Sequence, residues 1–166
     1  MAEQVQRLSK LNKTLLLLSK IENNQFPESK PIDLSLIVKN ICDDLIELIE
    51  FKSLNLEIEI LGDPVIVMNN DLAKMLFANL IRNAINHNLE AGFIKIKIQV
   101  HSFSITNTGK ELLVSPELLF ERFAKKSDNP QSTGLGLSII KTICDLYGFG
   151  ASYACQEKIH TVSISF

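Results

Sequence analysis

The stretch Ser132-Thr133-Gly134-Leu135-Gly136-Leu137-Ser138 restricts this chain more than any other. Two glycines one residue apart let the backbone come close to a ligand, and the amphipathic run that follows reads as a helix whose first N–H groups lack internal partners. Converging N–H groups at the positive end of a helix dipole suit an anion, a phosphate above all. The same spacing also serves plain loops before helices, so a nucleotide site needs support from a second stretch.

With 166 residues, 46% hydrophobic and 22% charged, the chain has the size and apolar content for one domain with a short appendage. A net charge of −2 gives no broad attraction to nucleic acid or to an acidic membrane, so neither is expected as a partner. Cys42, Cys144 and Cys155 are odd in number, widely spaced and set in apolar runs, which fits reduced core thiols and a cytoplasmic setting. No apolar run approaches the roughly 18 residues of a membrane span, and no signal-peptide pattern follows Met1.

Residues 1–26 place Leu8, Leu11, Leu15, Leu18 and Ile21 on one face of a single helix. A lone helix cannot bury its own stripe, so a partner helix is expected, from a second copy or from other sequence, and residues 27–32 read as a linker. Residues 33–166 then form the main domain. Asp33 caps a helix predicted to run to about Ser53, and Leu54, Leu56, Ile58 and Ile60 alternate with polar residues as a strand. Val65–Met68 reads as a short buried strand, and Asn70-Asp71 as the cap of a helix reaching about Asn88. Ile94–Val100 and Phe103–Thr106 form the next strands, and the helix after Gly136 ends at Gly148. A hairpin closes the chain, with its first strand near Ala151–Cys155 and its second carrying Val162, Ile164 and Phe166. Between Lys110 and Thr133 the periodicity fails, which marks a functional or mobile loop. The mixture lacks βαβ alternation and predicts an α+β fold, helices layered on one face of a largely antiparallel sheet.

On the helix after Asp71, Asn79 and Asn83 stand one turn apart at the border of an apolar stripe. Asparagine is a poor helix former and costly to bury unpaired, so the pair suggests a seam of amide groups facing a ligand. Amide oxygen is a hard, neutral ligand suited to Mg²⁺. An exposed or capping pair of asparagines is the plainer alternative.

Asn79-Leu80-Ile81-Arg82-Asn83-Ala84 and Ser132-Thr133-Gly134-Leu135-Gly136-Leu137-Ser138-Ile139 resemble the asparagine box and second glycine box of sensor histidine kinases. Phe120-Glu121-Arg122-Phe123 is similar to the family's phenylalanine box, Ile105-Thr106-Asn107-Thr108-Gly109 falls at its first glycine box, and Leu15–Glu22 resembles the second helix of its dimerisation and phosphoacceptor hairpin. The resemblance implies a two-layer α/β sandwich of the Bergerat ATP-binding type behind a single N-terminal helix, with ATP and Mg²⁺ as cofactors. It matches Asn83 to the Mg²⁺-binding asparagine, Asn79 to the other box asparagine near the phosphates, Asn107 to the usual adenine-binding aspartate, and Gly109, Gly134 and Gly136 to box glycines. His87, Thr133, Leu135 and Leu137 join the ATP-binding set as their neighbours. Three departures stand out: Asn107 has no carboxylate charge, Glu111 replaces a glycine, and Asn86 replaces a basic residue, a loss that Lys125 or Lys126 would offset.

The resemblance implies γ-phosphoryl transfer from ATP to a histidine of the dimerisation hairpin, a homodimer, and a response-regulator receiver domain as the next partner. His87, His101 and His160 do not open a His-acid-x-Arg type acceptor motif, so the chain alone is expected not to phosphorylate itself. A membrane anchor elsewhere in a full-length protein stays open. The alternatives are a nucleotide-binding regulatory module without kinase activity and an anti-sigma-factor serine kinase. The related gyrase and chaperone ATPases use a glutamate where this chain has Asn79.

Overall fold

Alternation of period two decides the main sheet. In the computed structural model, which describes residues 2–23, 25–112, 115, 119–120 and 136–166, five strands carry it. They are β2 (Asn55–Leu61), β4 (Phe93–Gln99), β5 (Ser102–Thr108), β6 (Gly150–Gln156) and β7 (Ile159–Ser165), in the order β2-β4-β5-β7-β6. The β2–β4 pairing is parallel and the other three are antiparallel, as an α+β sheet with one crossover requires. Ile94, Ile96, Ile98, Phe103, Ile105, Val162 and Ile164 point to one face and are buried.

The opposite face is polar. Lys95 and Lys97 stand opposite Glu57 and Glu59 in register, with Lys95 Nζ 3.0 Å from Glu57 and Lys97 Nζ 3.9 Å from Glu59. Exposed pairs of this kind contribute little, about 0–1 kcal/mol each.

Helices α2 (Leu34–Asp44), α4 (Asn70–Asn86) and α5 (Gly136–Tyr147) join one core with the sheet. α4 supplies the widest stripe, Leu72, Leu76, Phe77, Leu80, Ile81, Ala84 and Ile85, and Phe77 meets Phe103 of β5 edge-on at 5.0 Å. α5 packs between α4 and β6. Burial pushes the Cys42 and Cys144 thiols up to about 11 and about 12, as expected of inert core thiols.

Four sequence expectations change. The helix capped by Asp33 breaks at Leu45 into α2 and α3 (Ile46–Phe51). The break re-aims the chain so that Lys52 Nζ reaches the last carbonyls of α4, 2.9 Å from Ile85 O and 3.4 Å from Asn86 O. Residues 30–33 of the expected linker and domain start form β1 (Lys30–Asp33), antiparallel to β3 (Val65–Met68) in a separate two-stranded sheet. Pro31 is tolerated there because β1 has one neighbour only. β3 is therefore half-buried rather than a core strand: Ile66 and Met68 face inward while Val65 and Val67 are exposed. The cap of α4 is Asn69, whose Oδ1 accepts from Asp71 N and Leu72 N.

α1 (Ala2–Glu22) also departs from a free stripe. Its C-terminal half docks on the domain beside α5, with Leu18 and Ile21 at 1% and 0% exposure, whereas Val5, Leu8 and Leu16 stay exposed.

Candidate nucleotide site

The 3.6-residue period of α4 that buries Leu76, Leu80 and Ala84 leaves Asn79 and Asn83 half-buried at the edge of the stripe. The two amides are not equivalent. Asn79 Nδ2 donates to Met75 O at 2.8 Å, one turn back, which uses one of its two donors locally and leaves Oδ1 as an acceptor. No hydrogen bond among the described residues engages the Asn83 amide. It faces the first residue of α5: a Cβ on Gly136 would lie 3.1 Å from Asn83 Oδ1 and 3.3 Å from Nδ2. The asparagine seam thus meets Gly136, the first described residue of α5.

The second wall is the end of β5. The core-facing row Phe103, Ile105, Asn107 places an amide where a third apolar side chain would otherwise fall, and Asn107 is only 7% exposed. Its Nδ2 donates to Thr108 O at 2.8 Å, which leaves Oδ1 as the acceptor end of the amide. Thr108 is itself tied down: its Oγ1 donates to Asn88 Oδ1 at 2.5 Å and accepts from Phe93 N at 3.1 Å, while Asn88 Nδ2 donates to Phe93 O at 3.0 Å. This knot joins the end of α4, the start of β4 and the end of β5.

Beside Asn107 in the sheet register stands His160, also 7% exposed. Its Nε2 lies 2.8 Å from Lys110 O, an atom that only accepts, so Nε2 carries the proton and donates. Nδ1 then accepts from Tyr153 OH at 2.8 Å, and burial pushes that phenol up to about 12, which keeps its proton in place. Gly109 N donates to Lys158 O at 2.8 Å. At the end of α4, Asn86 and His87 lie at the surface, and the His87 imidazole is held below its ordinary range by desolvation first, then by the Lys52 charge and His160.

The structure brings Asn79, Asn83 and Gly136 together at one wall and Asn107 and Gly109 at the other, with Leu137 half-buried on α5. Glu111 is exposed, and Phe120 packs on the core. Lys125, Lys126, Phe123, Thr133, Gly134 and Leu135 lie outside the described residues. The sequence reading gave His160, Thr108 and Asn88 no role in the site. The signal for His160 was present, since it occupies the same alternation phase as Val162 and Ile164.

Residues 68–166 match the sequence model of the family described as histidine kinase-, DNA gyrase B-, and HSP90-like ATPase. The chain is 30% identical over 174 aligned positions to the sensor histidine kinase HprS of Escherichia coli K12, covering 98% of this chain and 37% of HprS. It is 31% identical over 154 positions to the heme sensor protein HssS of Staphylococcus saprophyticus, covering 87% of this chain and 33% of that protein. It therefore spans about a third of the length of these curated relatives. Among solved structures, the histidine kinase AdeS of Acinetobacter baumannii aligns with a TM-score of 0.79 at 23% identity, over 98% of this chain and 79% of that one. The catalytic domain of histidine kinase ThkA aligns with a TM-score of 0.70 at 23% identity, over 82% and 93%. At such identities the two structures speak for the fold.

Proposed function

We propose, from the premise that the chain belongs to the histidine kinase-, DNA gyrase B-, and HSP90-like ATPase family, that it is the phosphoryl-donating domain of a two-component sensor histidine kinase. The observation that carries this reading is the unengaged Asn83 amide set against Gly136 at the start of α5. An amide oxygen set against the start of a helix suits a polyphosphate. Asn107 Oδ1, at the far wall, accepts a hydrogen bond from the exocyclic amino group of adenine.

In this reading Asn83 would hold Mg²⁺ through a neutral amide oxygen, with Asn79 near the phosphates and metal waters, which suits an ion that leans on water and substrate phosphates. When bound, the ion offsets charge on the phosphate oxygens. The chain's own part is placement: α5 directs N–H groups at the phosphates, Asn107 sets the base, and the knot of Thr108 and Asn88 keeps that wall rigid. Transfer then needs an acceptor imidazole in line with the γ-phosphorus. None of the chain's three histidines has an acceptor context, so the acceptor belongs to a dimerisation hairpin. α1 is read as the second helix of that hairpin, with exposed Val5, Leu8 and Leu16 offering it an apolar face. A homodimer and a receiver domain complete the relay.

The test supplies radiolabelled Mg·ATP and the dimerisation hairpin of the parent kinase in trans. The expected result is an acid-labile, base-stable phosphate on the hairpin, formed slowly because the covalent tether's effective concentration is lost. ATP binding without transfer, in trans and in the intact kinase, overturns the kinase reading. Asn83→Ala is the matched variant. Losing even an outer partner of a metal ligand costs about 10–100-fold in affinity, so Mg·ATP binding by calorimetry should weaken by at least about tenfold with little change in melting temperature.

A further inference from the structure

His160 lies apart from the asparagine and glycine boxes, yet it is among the few buried polar side chains described, and it stands beside Asn107 in the register of β5 and β7. Cys155 Sγ lies 3.9 Å from its Nε2, and three closer contacts fix its ring. Tyr153 OH holds Nδ1 at 2.8 Å, Lys110 O holds Nε2 at 2.8 Å, and the ring occupies the space a side chain on Gly109 would need, since a Cβ there would lie 2.6 Å from Cδ2 and 2.7 Å from Nε2. Gly109 and Lys110 directly follow Asn107 and Thr108, so both contacts fall on the backbone that carries the amide acceptor.

We propose that His160 is the positioning residue for the nucleotide base: pressed on Gly109 and tied to the Lys110 carbonyl, it sets the backbone at the end of β5 and so aims Asn107 Oδ1. The proposal rests on the nucleotide reading above. The alternative, a histidine that only fills the core, predicts a different result. A filler stabilises the fold and leaves base discrimination alone, whereas a positioning residue changes discrimination at a single hydrogen bond.

The probe is ATP against purine riboside triphosphate, which lacks the exocyclic amino group. One net hydrogen bond is worth about a factor of 5–10 in affinity, so the parent chain should prefer ATP by roughly that factor and Asn107→Ala should abolish the preference. Glutamine places its amide nitrogen about where Nε2 stands, whereas asparagine stops short of the Lys110 carbonyl. His160→Gln should therefore keep most of the preference, and His160→Asn should reduce it to about twofold or less. Equal weakening of both nucleotides in His160→Asn, with the parent ratio retained, overturns the proposal. Should that variant not fold, Tyr153→Phe decides: it removes the partner that holds Nδ1 and leaves the ring tied from one side only, and a ratio below the parent's supports the proposal while an unchanged ratio overturns it. A parent chain that binds neither nucleotide refutes the nucleotide reading and this proposal with it; a parent that binds and discriminates isolates the question to His160.

Discussion

Restoring a carboxylate at position 107, where sequence resemblance places the family's usual aspartate, should harm this particular chain. Asn107 Nδ2 donates to Thr108 O at 2.8 Å in a place only 7% exposed. Asn107→Asp replaces that donor by an oxygen. The lost hydrogen bond costs about 1 kcal/mol, and a carboxylate oxygen left facing a carbonyl oxygen adds about 1–3 kcal/mol. The sum, about 2–4 kcal/mol, corresponds to roughly 5–15 °C in melting temperature for a chain of this size.

The pH dependence follows from the same contact. The protonated acid donates to Thr108 O and the ionised one cannot, so the introduced carboxyl titrates above its unfolded value of about 3.9. The folded variant then binds its proton more tightly than the unfolded one. Its stability is complete below about pH 4 and is lost as pH rises through the raised folded value. Melting curves of parent and variant between pH 4 and pH 8 should show a small deficit at the acid end and the full deficit at pH 8. A variant as stable as the parent at pH 8, or a deficit independent of pH, refutes the reasoning.

Two further outcomes test the Asn83 wall and the cap of α4. Gly136→Ala suits a helix and should leave melting within a few degrees, but its Cβ, 3.1 Å from Asn83 Oδ1, pushes that amide aside, so Mg·ATP affinity by calorimetry should fall several-fold; unchanged affinity would detach Asn83 from the site. Asn69→Ala removes the acceptor for Asp71 N and Leu72 N and should lower the denaturation midpoint by an amount worth about 1 kcal/mol with an unchanged slope, whereas no shift would mean the cap contributes nothing.

What was legible in the sequence was what repeats along it. The alternation of Ile94, Ile96 and Ile98 marked a strand with one buried face, and the 3.6 period of α4 set Asn79 and Asn83 on its border. What was not legible depends on contacts distant in sequence. β1 pairs with β3 across more than thirty residues, and Pro31 reads locally as a break. The break at Leu45 makes sense only once Lys52 is seen at the end of α4. The site divides in the same way: periodicity located both asparagines, yet only the Met75 carbonyl distinguishes Asn79, one of whose N–H donors it takes, from Asn83, whose amide has no hydrogen bond among the described residues.

His160 lies between these cases. Its phase with Val162 and Ile164 announced a buried histidine, and a buried imidazole must find partners for both nitrogens. Tyr153 was within reach of inference, because it lies in the neighbouring strand of the closing hairpin. The other partner, a backbone carbonyl fifty residues earlier, has no side-chain signature at all. A buried histidine in an apolar phase is therefore a position at which the sequence states that a polar partner exists, and the fold alone names it; here it names the backbone shortly after Asn107.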